Sequence, residues 1–139
     1  MRGFTGPESS PATTETKGAP RIALCERCEF EVAGTGTLRG GVVWNVSVVG
    51  LYLVVQEDIP PQDAIVSVRL WLPGDPRPVL AQAQVVWRNP PSPVSGCGAK
   101  ALRFPPGCGL RFADIAEDDL ARIRSRVETV LPTRGGPQR

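Results

Sequence analysis

Histidine is missing from this 139-residue sequence. Its absence removes the commonest general base, the Ser-His and Cys-His dyads, and every zinc site that uses imidazole. Net charge is also scarce, at a formal +2. That is too small for a scaffold holding DNA or RNA by bulk electrostatics, so no nucleic-acid partner is expected. No apolar run approaches the roughly 18 residues needed to cross a bilayer. The leader "MRGFTGPESSPATTETKGAP" has no apolar stretch of signal-peptide length. The expectation is therefore a cytoplasmic protein with no membrane insertion. Catalytic signatures are missing too: no paired carboxylates at strand ends, and no phosphate-cradling glycine loop followed by lysine. Glu57, Asp58 and Asp63 sit in "QEDIPPQD", where the prolines mark a turn and the acids read as a solvated loop. No enzyme is expected.

What is present is glycine and proline, 15 of each. Such a chain is cut into short elements, and long helices are disfavoured. Hydrophobic content of 41% over this length suits one domain with a modest core. Residues 1–18, rich in Ser, Thr, Pro, Glu and Gly, are expected to form a disordered tail. Residues 19–131 are expected to form the domain, and 132–139 a flexible C-terminal tail. Strands are expected around Cys25 to Val32, in "TLRGGVVWNVS", in "LYLVV", in "AIVSVRLWL", in "VLAQAQVVWR" and in "GCGLRF". "PGDPRP" is a hairpin turn signal. "GCGAKALRF" at 96–104 imperfectly copies the later "GCGLRF", and reads as either a hairpin arm or a loop.

The period then changes. In "DIAEDDLARIRSRVETVL" the apolar residues Ile115, Leu120, Ile123, Val127, Val130 and Leu131 recur mostly at helical steps. Asp114 reads as the N-cap, with Glu117 completing a capping box, and Pro132 ends the helix. Arg122, Arg124 and Arg126 read as a solvated helix face. The fold expected is mainly β: a six-stranded antiparallel barrel with one C-terminal α-helix.

Cys25-x-x-Cys28 with Cys97 and Cys108 invites a zinc reading. Residues three apart on an extended chain face opposite sides, and the second pair is widely spaced, so no metal site is expected. Of the tryptophans, Trp44 is expected in the core, Trp71 outward or partly under a loop, and Trp87 against the terminal helix.

One polar pair remains. In "WNVSVVG", residues 44–50, Asn45 and Ser47 are two apart on a strand and so are expected to look outward together. Trp44, Val46 and Val48 would take the other face, with Gly50 bending the chain. By itself this describes a solvated strand end. Taken with "KGAPR" at 17–21, the Gly-Asp-Pro hairpin, "VVW", "GCGLRF" and the final helix, the order of elements resembles a PilZ domain, in particular the divergent PilZ-like domains common in myxobacteria. The resemblance spans roughly residues 17–131.

That resemblance implies a receptor for cyclic di-GMP, with no other cofactor and no metal or catalytic residue. The family motif joins Arg-x-x-x-Arg in the leading arm to (Asp/Asn)-x-Ser-x-x-Gly. Asn45, Ser47 and Gly50 match the second part in full; Arg21 matches the second arginine, and Lys17 stands where the first would be. Guanidinium groups grip phosphate in a bidentate way, read the O6/N7 edge of guanine and stack on purines. An asparagine donates to and accepts from a guanine edge at once. Lysine keeps the charge but loses the planar fork. The resemblance also implies a protein partner, in motility, exopolysaccharide production or signalling. The alternative is a degenerate PilZ-like adaptor that binds protein and no nucleotide.

Overall fold

A computed structural model describes residues 19–91 and 104–130 of the chain. Six strands and one helix appear in the order expected. They are β1 (Ile22–Val32), β2 (Arg39–Val46), β3 (Gly50–Val54), β4 (Ile65–Leu70), β5 (Val79–Asn89), β6 (Gly107–Ile115) and α1 (Glu117–Val130). The strands close into a barrel in the order β1-β2-β3-β6-β5-β4, every neighbouring pair antiparallel. Closure leaves no open sheet edge.

Alternation decides which residues fill the barrel. On β4, Val66, Val68 and Leu70 are buried, and Leu72 continues the series just past the strand, while Ser67 and Arg69 face solvent. On β3, Leu51 and Leu53 point in and join Phe30, Val43, Val46, Val85 and Leu110 in one cluster. Helix α1 covers one end, contributing Ile123 and Val127 to the same cluster.

Four sequence expectations need correction. The alternation expected for 44–48 fails because Trp44 is an extra residue in the β2–β3 ladder: Val43 pairs with Leu53 and Asn45 with Tyr52. This β-bulge puts Val43 and Val46, three apart, both inward at 0% exposure and leaves Trp44 only half-buried. Asp114 does not cap the helix. β6 runs on to Ile115, Asp114 pairs with Gln82, and the first helical bond joins the Leu120 N–H to the Ala116 carbonyl. Trp87 does not pack on α1; it stacks on Tyr52, with ring centroids 5.3 Å apart, and lies beside Phe104. Over Gly109 its indole comes so close that a Cβ there would meet Nε1 at 2.1 Å.

The fourth correction is Arg122, which is not a solvated helix residue. Its guanidinium bonds Asp75 at 2.7 Å and Asp119 at 2.8 Å, and also the carbonyls of Pro78 and Arg77. Asp119 in turn accepts the Leu80 N–H at 3.3 Å. These contacts tie α1 to the β4–β5 hairpin, whose turn is closed by Asp75 N–H to the Leu72 carbonyl with Gly74 at φ 81°. The hydrogen bonds that Arg122 donates to Asp75 hold the Asp75 carboxyl below the ordinary carboxylate range and raise the Arg122 pKa.

The copy at 96–103 and Cys97 lie outside the described residues, as does Leu131. Cys25 is exposed and Cys28 buried, on opposite sides of β1 as alternation requires. Among the described residues no cluster of metal-ligating side chains occurs, and no helix is long and apolar enough to cross a membrane.

Candidate functional site

The start of β1, the β2–β3 turn, the β4–β5 hairpin and the end of β6 all gather at the end of the barrel that α1 covers. Antiparallel pairing forces this: Ile22 pairs with Val46, Leu70 with Val79, and Ala81 with Ile115. The leading arm therefore enters beside the motif turn, although 24 positions separate Arg21 from Asn45.

The two side chains meet. Arg21 donates from a guanidinium nitrogen to Asn45 Oδ1 at 3.0 Å. Their strands fix this encounter, because Ala23, two residues after Arg21, pairs directly with Asn45. Arg21 is an exposed residue, and the surrounding chain desolvates its guanidinium enough to lower its pKa from the ordinary arginine value. It remains charged at neutral pH. Further along, β1 carries its own bulge between Ala23 and Glu26, with Cys25 at φ 54°.

Ser47 is placed differently from the expectation. β2 ends at Val46, so strand alternation no longer governs residue 47. Ser47 is 0% exposed and does not stand beside Asn45 on an outer wall. Its Oγ accepts the Val49 N–H at 3.1 Å, and its own N–H donates to the Gly50 carbonyl at 2.8 Å. A hydroxyl that bonds the backbone two residues on is a turn-forming device. Ser47 thus shapes the segment that joins Asn45 to Gly50.

Gly50 is not a bend residue. It is the first residue of β3 and pairs with Arg111 of β6. Its requirement for hydrogen is steric: a Cβ there would lie 2.0 Å from the Leu110 carbonyl oxygen and 3.0 Å from the Arg111 Cα. The Val49 carbonyl also accepts the Phe112 N–H at 2.8 Å, which fastens the motif turn to β6. Lys17 lies outside the described residues.

Of these residues Arg21 is exposed, Asn45 half-buried, and Ser47 and Gly50 buried. Two surface grooves of about 780 and 520 Å³ run elsewhere on the barrel, the larger past Arg27, Gly40 and Trp71. Neither includes Arg21, Asn45, Ser47 or Gly50. What sequence reasoning missed here is the bulge at Trp44 and the proximity of β6. Strand alternation carries no mark of an inserted residue, and ladder register between non-consecutive strands is not a local signal.

A family model described as "PilZ domain" matches residues 16–129. Among solved structures, the chain is similar to one described as the Bacillus subtilis inhibitor of motility (MotI/DgrA), with a TM-score of 0.65 at 14% identity. The alignment covers 84% of this chain and 51% of that one, so the chain spans about half the length of that structure. Comparison with curated proteins returned no match.

Proposed function

Because the chain belongs to the PilZ domain family, we propose that it is a cytoplasmic receptor for cyclic di-GMP that relays the nucleotide's level to a protein partner. The observation that carries this reading is the 3.0 Å bond between Arg21 and Asn45, which brings the arm and the motif strand to one outward-facing patch. One guanidinium nitrogen of Arg21 is engaged with Asn45, and the rest of the group, which has no hydrogen-bond partner among the described residues, would grip phosphate or stack on a guanine face. Asn45 would exchange hydrogen bonds with a guanine edge. Ser47 acts through the turn it holds, and Gly50 through the backbone approach it permits. Lys17 is the arm's second cation, and as a point charge it would hold phosphate about ten- to hundredfold less tightly than an arginine. No catalytic step is assigned. The partner belongs to the motility, exopolysaccharide or signalling processes that the family implies.

The competing reading, a protein-binding adaptor without nucleotide, draws on one observation: the Ser47 hydroxyl is turned into its own backbone. Calorimetry with cyclic di-GMP separates the two. The receptor reading expects saturable heat for the wild type, its loss in Arg21→Ala, and tighter binding in Lys17→Arg. Flat traces for both the wild type and Arg21→Ala leave the adaptor.

A further inference from the structure

We propose that Arg111 is a ligand-gripping arginine of this site, supplying from β6 a guanidinium that the arm has only at Arg21. The proposal rests on the receptor reading. It begins from register: Arg111 lies directly opposite Gly50, and residues directly opposite in an antiparallel pair share a face. Leu110 points into the barrel at 2% exposure, so Arg111, its neighbour, points out and is exposed. The bond from the Phe112 N–H to the Val49 carbonyl holds this part of β6 against the motif turn.

No side chain rises from β3 between the turn and Arg111. The residue there is Gly50, where a Cβ would collide with the Leu110 carbonyl. Strand spacing and rise place Asn45 and Arg111 on the order of 12 Å apart across this gap. Arg21 and Arg111 therefore bracket the turn, one from each side, over a bare strip of backbone. An anion with two phosphates and two flat bases suits that arrangement.

Several other arginines of the barrel and its loops are already occupied. Arg69, Arg77 and Arg122 form ion pairs, and Arg39 and Arg88 hold loop carbonyls. Arg111 makes no ion pair among the described residues. Its exposure and its lack of an ion pair or side-chain hydrogen bond among the described residues give it no part in stability there, and its charge faces the side where the ligand would lie.

The test is calorimetry with cyclic di-GMP on the wild type, Arg111→Ala and Arg111→Lys, with a thermal melt of each. The alanine variant is expected to bind about ten- to hundredfold more weakly, and the lysine variant to fall between, since it keeps charge without the fork. Melting temperatures should match the wild type. Wild-type affinity in Arg111→Ala overturns this proposal and leaves the receptor reading standing. A wild type that gives no heat removes both. Should the alanine variant fail to fold, Arg111→Lys carries the test, and an unchanged Kd there overturns the assignment.

Discussion

Replacing Gly50 with alanine is expected to pull β3 away from β6. The added Cβ would sit 2.0 Å from the Leu110 carbonyl oxygen. A carbon–oxygen contact is comfortable at about 3.3 Å, so the strands must separate by about 1.3 Å or the ladder must break locally. The obstacle is the backbone of β6, with Arg111 Cα also at 3.0 Å, so no side-chain rotation relieves it. The cost should reach the upper end of the overpacking range, about 3 kcal/mol. In a domain of this size that lowers Tm by roughly 10–20 °C. Gly40→Ala is the control, because nothing lies within 4 Å of a Cβ at that position. Gly→Ala also stiffens the unfolded chain, by about 0.4–1 kcal/mol, and comparing the two variants cancels that contribution. Urea unfolding with a common m-value gives the difference. Equal midpoints for the two variants would refute the reasoning. A consequence for binding work follows: loss of ligand in a Gly50 variant reports a displaced strand, and does not identify a contact.

Other expectations come from the helix latch and the thiols. Arg122→Met should cost about 2 kcal/mol, read as a drop in the urea midpoint, because the Arg122 side chain is only 13% exposed and the change removes its hydrogen bonds to two carboxylates and two carbonyls. The same latch gives an acid dependence. Hydrogen bonds from Arg122 hold the folded Asp75 pKa below its unfolded value of about 3.9. Between those two values the unfolded chain binds the proton and the folded chain does not, so this stabilisation is complete above the unfolded value and fades as pH falls through the folded one. Asp75→Asn should flatten that part of a stability profile, and an unaltered profile would count against the latch. Alkylation at pH 8, followed by peptide mapping, should label exposed Cys25 about two orders of magnitude faster than Cys28 or Cys108, whose thiols burial pushes up to about 12 and about 11. Comparable rates at all of them would contradict the packing described.

The barrel was legible because its strands alternate strongly and its turns are marked by Gly and Pro. β4 is the clearest case: Val66, Val68 and Leu70 gave the inner face outright, and "PGDPRP" the hairpin after it. The helix was legible from its apolar steps, but its start was not. Asp114 has the chemistry of a cap, yet pairing with Gln82 keeps it in β6. Around the motif, pattern and structure part at Trp44. A single inserted residue resets the faces, so Val43 takes the inward place expected of Trp44 and Ser47 falls into a turn. Arg122 and Arg111 were illegible for a common reason: their neighbours, Asp75 and Gly50, lie 47 and 61 positions away in sequence. Arg21 and Asn45 were paired from the resemblance, and strand pairing at Ala23 gives the physical cause of their meeting.

The most direct measurement is an amide-resolved NMR titration of the isotope-labelled protein with cyclic di-GMP. The account predicts saturable shifts that cluster at one end of the barrel, at Arg21, Asn45, residues 47–50 and Arg111. A spectrum unmoved by excess nucleotide, or shifts confined to the opposite end at residues 33–38 and 55–64, would contradict it.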